Sequence, residues 1–164
     1  GEILVSGENV MNGYWNDPNA TSKTLINGWI HTGDIGEFDE ENYLKITDRK
    51  KDIIVSAGGD NISPAKIENM IANEPEIDQC MVYGDKKNYL VALIVPTKDF
   101  LNKKKEIDSV IEKINKKLTL LEKIKKIQLI DENFSIENGL MTPTMKVKRK
   151  KVTEKYKDQL EKLY

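Results

Sequence analysis

The sequence predicts an α+β fold in two parts, a β-rich stretch followed by a small domain in which strands and helices interleave. Three observations carry this. Around Glu40-Glu41-Asn42, apolar and polar residues alternate over Asp34–Asp39 and Tyr43–Asp48, the period of two that marks a half-buried hairpin. Beyond residue 51, runs with an apolar residue every third or fourth position alternate with short, almost wholly apolar runs. Between the two regions stands Asp48-Arg49-Lys50-Lys51-Asp52, a charged join flanked by apolar segments.

The elements follow in order. Residues 2–6 read as a strand. Asp17-Pro18 opens a short helix to about Leu25, with an acid to cap the free N–H groups and a proline at the first helical position, where no N–H is needed. Ser63-Pro64 repeats that signal, and Ile67, Met70 and Ile71 form the inward stripe of the helix that follows. Ile77–Tyr83 and Tyr89–Val95 read as strands joined by a polar turn. Residues 99–121 carry Ile107, Val110, Ile111, Ile114 and Leu118 at helical spacing, with lysines mostly on the other face. Ile124–Ile130 reads as a third strand, and residues 150–163 as a charged amphipathic helix.

Composition narrows the classes. The overall charge is −1, yet the first hundred residues carry roughly −8 and the rest roughly +7. A basic second part suits a polyphosphate ligand, an anionic membrane or nucleic acid. Aromatic-rich strand motifs and a DNA-reading helix are both missing, so nucleic acid is not expected as a partner. Cys80 is the single cysteine, which excludes an internal disulfide, and its apolar neighbours Met81 and Val82 place it as a small core residue. No apolar run approaches the roughly 18 residues of a membrane span, and no signal peptide is visible. The expectation is a cytoplasmic protein, with peripheral contact to the inner face of a membrane left open. The chain opens on Gly1-Glu2-Ile3-Leu4-Val5, a strand already under way, which suggests a fragment of something longer.

Four segments have the residue types that chemistry needs. Thr32-Gly33-Asp34 leaves a carboxylate at a strand start, able to accept two hydrogen bonds from vicinal hydroxyls; a turn with a capping Asp is the plainer reading. Arg49, one hairpin later, would pair with that carboxylate or reach a sugar or phosphate oxygen, or else form a boundary ion pair. Ser56-Ala57-Gly58-Gly59-Asp60 allows positive φ and close backbone approach to a ligand, or is a flexible turn; its spacing matches neither standard nucleotide-binding glycine motif. Thr142-Pro143-Thr144-Met145-Lys146 presents a lysine on a turn, a point charge for a phosphate or reacting carboxylate, or a basic lead-in to the last helix.

In order and spacing these segments resemble the adenylate-forming, AMP-binding superfamily. The match runs from Gly1-Glu2-Ile3…Gly7…Gly13-Tyr14-Trp15…Thr21 through Gly28-Trp29-Ile30-His31-Thr32-Gly33-Asp34 and Asp48-Arg49-Lys50-Lys51-Asp52 to Ser56…Gly58-Gly59, Asn61-Ile62-Ser63-Pro64, Ile67-Glu68 and Pro143-Thr144…Lys146…Arg149. Within it, Asn61-Ile62-Ser63-Pro64 and Thr142–Lys146 resemble the long-chain fatty-acid–CoA ligases. The resemblance implies that residues 1–48 end a large β-rich N-terminal domain and residues 49–164 form a mobile C-terminal α+β domain. It implies ATP, CoA and a fatty acid as ligands, with Mg²⁺ held by residues of the missing N-terminal part. Asp34 would hold the ribose hydroxyls of ATP or AMP and Arg49 would support the same sugar. Lys51 would be the hinge, Gly58 and Gly59 would line the CoA channel, and Lys146 would be catalytic, touching the α-phosphate and the substrate carboxylate. Many relatives place Gly before that lysine where this chain has Met145, which leaves Lys148 as a rival; the three-residue distance to Arg149 favours Lys146. Asp60 stands where a basic or polar residue is more usual. The chain alone is expected to be inactive. Other readings are an adenylate-forming enzyme for a different carboxylic acid or a carrier-protein acceptor, and a non-enzymatic basic binding module.

Overall fold

The computed structural model describes all 164 residues, and the chain divides into two compact units, Gly1–Asp52 and Ile53–Tyr164. The division falls four residues after the expected 48/49 boundary. Strand pairing explains it: the last strand of the first unit continues through Arg49 opposite Asp34, and Lys50 N–H still donates to Gly33 O at 2.8 Å.

The first unit is a four-stranded antiparallel sheet built on one long strand. β3 (Trp29–Phe38) pairs with β1 (Glu2–Val5), with the two-residue β2 (Leu25–Ile26) and with β4 (Leu44–Arg49). Helix α1 (Pro18–Thr24) begins as its sequence dictates, with Asp17 Oδ1 accepting from Ala20 N–H at 2.8 Å. The β2–β3 turn is Asn27-Gly28, both at positive φ (52° and 80°), the conformation that lets a two-residue loop match the twist of its strands. That turn starts β3 five residues before the expected Asp34. At the β3–β4 turn, Asp39 Oδ1 accepts from the N–H groups of Glu41 and Tyr43.

The second unit is a sheet covered on both faces. β5 (Ile54–Val55) and β6 (Asn61–Ile62) form a small ladder before α2 (Pro64–Ala72). β7 (Ile77–Tyr83) runs antiparallel to β8 (Leu90–Pro96), and β9 (Ile124–Leu129) runs parallel to β8. A parallel neighbour needs a crossover, supplied by a 3₁₀ turn at Lys98–Phe100 and by α3 (Lys104–Asn115). Every residue of β8 is buried, and alternate side chains serve two cores. Leu90, Ala92 and Ile94 pack with Ile67, Ile71, Ile107 and Ile114; Val91, Leu93 and Val95 pack with Phe134, Leu140, Val152, Tyr156 and Leu160. Cys80 packs against the first core, where burial pushes its thiol well above the ordinary range.

Two helices are shorter than periodicity implies. The expected helix over 99–121 is α3 alone, because the Asn115 side chain exchanges two hydrogen bonds with the backbone of Ile124 (2.8 and 2.9 Å) and turns the chain into β9. The last helix is split into α4 (Arg149–Lys155) and α5 (Lys157–Glu161) at Tyr156, which leaves the helical region (φ −103°, ψ 19°). Its ring stays in the core while its hydroxyl donates to Glu132 at 3.2 Å. No helix is long and apolar enough to cross a membrane.

Candidate functional site

In the first unit, the register of β3 and β4 sets Asp34 directly opposite Arg49, and Arg49 Nε donates to Asp34 Oδ1 at 2.6 Å. Binding through Nε leaves the second carboxylate oxygen and both guanidinium amino groups available for a ligand. Thr32 fixes the approach: its hydroxyl donates to Ile3 O at 2.8 Å and accepts from Asp34 N–H at 3.1 Å. Gly33, at φ 72°, turns the strand there.

Glu2, which sequence reasoning passed over, braces this corner. Its carboxylate accepts from Lys50 Nζ at 2.8 Å and from Gly33 N–H at 3.2 Å, and lies 3.2 Å from His31 Nδ1. The Lys50 ammonium, with His31, holds the Glu2 carboxyl below the usual glutamate value. A signal existed in the Gly1-Glu2-Ile3 motif, but only strand pairing shows that Glu2 reaches Lys50. Thr32, Gly33, Arg49, Lys50 and Lys51 line an open cavity of about 320 Å³. That is the small end of ligand pockets, with a cationic rim suited to an anionic group on a hydroxylated carrier.

The second unit carries the other candidates on separate turns. Gly58 and Gly59 sit between β5 and β6, where Ser56 Oγ accepts from the N–H groups of Gly58 (3.2 Å) and Asp60 (3.1 Å). Gly59 is at φ 88°, and Gly59 N–H donates to Ser56 O at 3.0 Å. The turn is thus defined by its own hydrogen bonds, and Asp60, bonded to Ser56 Oγ at 3.2 Å, is part of it.

Lys146 stands exposed on a tight loop closed by the Met141–Val147 bridge. Thr142 shapes that loop by donating N–H to Lys146 O (2.8 Å) and accepting Lys146 N–H at Oγ1 (3.1 Å). Met145, in place of glycine, adopts φ 60°. Three residues on, Arg149 anchors the loop: it donates to Val82 O at 2.8 Å and to Glu68 Oε2 at 2.5 Å, while Glu68 Oε1 accepts Val82 N–H at 2.6 Å. Sequence reasoning used Arg149 only to set the register of Lys146 and assigned Glu68 no role. The pair ties the start of α4 to α2 and β7.

No group of three or more His, Cys, Asp or Glu side chains is arranged to hold a metal ion.

Comparison with known proteins gives one consistent result. Residues 51–164 match the AMP-binding enzyme C-terminal domain. A long-chain-fatty-acid–CoA ligase of Mycobacterium tuberculosis is 38% identical over 186 residues, covering all of this chain and 31% of the relative. Long-chain-fatty-acid–CoA ligase 6 of Homo sapiens is 38% identical over 188 residues, covering all of this chain and 27% of the relative. Among solved structures, the A domain of carboxylic acid reductase from Segniliparus rugosus, in complex with AMP and a co-purified carboxylic acid, aligns with a TM-score of 0.91 at 27% identity, over all of this chain and 28% of that one. O-succinylbenzoate coenzyme A synthetase from Bacillus subtilis, in complex with AMP, aligns with a TM-score of 0.71 at 30% identity, over 92% of this chain and 29% of that one. The chain therefore spans less than a third of the length of these relatives.

Proposed function

Because the chain belongs to the AMP-binding enzyme C-terminal domain family, we propose that it is the C-terminal portion of an ATP-dependent long-chain fatty-acid–CoA ligase. In the first half-reaction a fatty-acid carboxylate oxygen attacks the α-phosphorus of ATP, and pyrophosphate leaves. In the second, the sulfur of CoA attacks the acyl carbon, and AMP leaves. The observation that carries the reading is the in-register Asp34–Arg49 pair at 2.6 Å beside the cation-rimmed cavity. Asp34 accepts from the ribose hydroxyls, and Arg49 both holds Asp34 and supports the sugar.

Lys146 is the catalytic residue of adenylation. Negative charge builds between two anions that repel each other, and a cation placed between them lowers that barrier. Its exposure on a loop anchored by Arg149 supports delivery to a site built mainly by other parts of the protein. Gly58 and Gly59 line the approach of the CoA thiol. Lys51, one residue before the last of the first unit, is the pivot by which one set of groups is exchanged for the other.

Peripheral contact with the cytoplasmic face of a membrane belongs to the same proposal. On the turn after α3, Leu120 and Leu121 are 76% and 49% exposed, flanked by exposed Lys116, Lys117 and Lys125. The one acid there, Glu122, is turned inward to Lys66 Nζ at 2.6 Å and to the Thr119 hydroxyl at 2.8 Å. What the turn offers outward is apolar and cationic.

The test uses the full-length protein and its two half-reactions. Lys146→Ala is expected to lower fatty-acid-dependent pyrophosphate release by about 10²–10³-fold, the usual loss for one transition-state charge partner. Thioester formation from supplied acyl-adenylate should be spared. Equal loss in both half-reactions would remove the role given to Lys146. Adenylation of a different carboxylic acid is the second reading, favoured by the close backbone likeness to the carboxylic acid reductase A domain; release of AMP with another acid but none with fatty acids would select it.

A further inference from the structure

We infer that the Gly58–Gly59 turn is positioned for thioester formation by a distant clasp, in which Glu161, Leu163 and Tyr164 lock the Asp85–Lys87 turn against the stem of the glycine turn. The inference rests on the CoA role proposed for Gly58 and Gly59 and adds residues that hold them in place.

The stem is bound on its outer side by the β7–β8 turn. Lys86 N–H donates to Val55 O at 2.8 Å, Val55 N–H to Asp85 Oδ1 at 3.2 Å, and Ala57 N–H to Lys87 O at 3.0 Å. Three bonds over three residues therefore fix the chain just before Gly58. The β7–β8 turn cannot supply that rigidity alone, since Asp85, Lys86 and Asn88 are exposed and Lys86 is held at φ 57°.

Its rigidity comes from the end of α5 and the residues that follow it. Lys87 Nζ bonds Glu161 Oε2 at 2.7 Å and lies 4.6 Å from the centre of the Tyr164 ring, an ion pair and a cation–π contact on one side chain. Tyr89 OH donates to Leu163 O at 2.8 Å. Tyr164 OH lies 3.3 Å from Tyr83 O and 3.2 Å from Tyr89 O, so one hydroxyl bridges both sides of the turn's base. The Tyr164 ring packs on Tyr89 (4.9 Å between centroids) and edge-on to Tyr83 (6.3 Å). Together these contacts set where Lys87 O and Lys86 N–H stand, and those two groups set the entry of the glycine turn. Small displacements of a positioning group cost up to about a hundredfold in rate.

The test is made in the full-length enzyme on each half-reaction separately. Lys87→Met and Tyr164→Ala are each expected to lower kcat/KM for CoA about tenfold or more, leaving pyrophosphate release within about twofold. Tyr164→Phe keeps the ring and should restore part of the loss. Asp85→Ala removes the Val55 bond from an exposed position and should give the same selective defect, while Lys87→Met, which touches Glu161 and Tyr164, decides the clasp even where Tyr164→Ala does not fold. Unchanged CoA kinetics in Lys87→Met, whatever Asp85→Ala does, or equal loss in both half-reactions, overturns the clasp. Gly59→Val, strained at its positive φ, is measured alongside. If it impairs thioester formation while the clasp variants do not, the clasp alone fails; if it does not, the CoA reading of the turn fails first.

Discussion

Two acids hold the basic residues that surround the candidate chemistry, and each can be tested at its own side chain. Glu68 receives Arg149 at 2.5 Å while accepting Val82 N–H through its other oxygen at 2.6 Å, both carboxylate oxygens being committed in a half-buried setting. Glu68→Gln keeps the shape but removes the negative charge that pairs with Arg149, and a loss of about 1–3 kcal/mol in unfolding free energy is expected for the charged hydrogen bond lost there. The same variant should weaken adenylation more than thioester formation, because Arg149 closes the loop that presents Lys146. Denaturant melts beside half-reaction rates would check this; an unchanged midpoint would show the pair to be idle. Glu2 offers a pH test. The Lys50 ammonium, then His31, depress its carboxyl, so its contribution is present above the ordinary glutamate value and is lost as pH falls through the lowered value in the folded chain. Following the Glu2 carboxyl by NMR, Lys50→Met should move its titration upward; no movement would mean that Lys50 and Glu2 do not interact in solution.

At the scale of elements, the turn after α3 yields the membrane prediction. Full-length protein should bind phosphatidylglycerol-containing vesicles, less so as salt screens the lysines. Reversing Lys116 and Lys117 to Glu should remove about 1 kcal/mol or more for each charge, and Leu120→Ser with Leu121→Ser should lower binding further at constant charge. Binding unaltered by either pair of changes would take the membrane role away from this turn. Much of the element order was legible because the relevant forces are local: Asp17-Pro18 and Ser63-Pro64 start helices where they stand, and the wholly apolar Leu90–Val95 is the central strand its composition implies. What could not be read were ends set by distant partners. Asn115 stops α3 by bonding Ile124, and Tyr156 breaks the last helix while anchored in a core built from β8. The candidate site divides the same way. Asp34 and Arg49 were visible as a hairpin pair, whereas Glu2–Lys50 and Glu68–Arg149 join residues 48 and 81 positions apart, beyond any periodicity.

Over the whole molecule the two units differ in what holds them. Every buried hydrophobic residue lies in the second unit, from Ile54 to Leu160, whereas the first leaves Leu4, Trp15, Trp29, Phe38, Tyr43, Leu44 and Ile46 exposed. A four-stranded sheet of that length with no apolar core has backbone ladders and ion pairs to stabilise it, but little hydrophobic burial to offset the entropy of ordering the chain. The second unit has a fully buried central strand and a core on each face, the arrangement of a self-sufficient domain. Residues 53–164 expressed alone should therefore melt in one cooperative transition, with a calorimetric enthalpy of roughly 80 kcal/mol by the usual per-residue scale. Residues 1–52 alone should melt without a cooperative step and should be poorly soluble, since edge strands and apolar side chains stay uncovered. On the proposed reading, that surface is where the rest of a longer ligase would seat. A sharp, independent transition from residues 1–52 would show that this sheet needs no such cover. Failure of residues 53–164 to fold alone would mean that the second unit depends on contacts outside its own two cores.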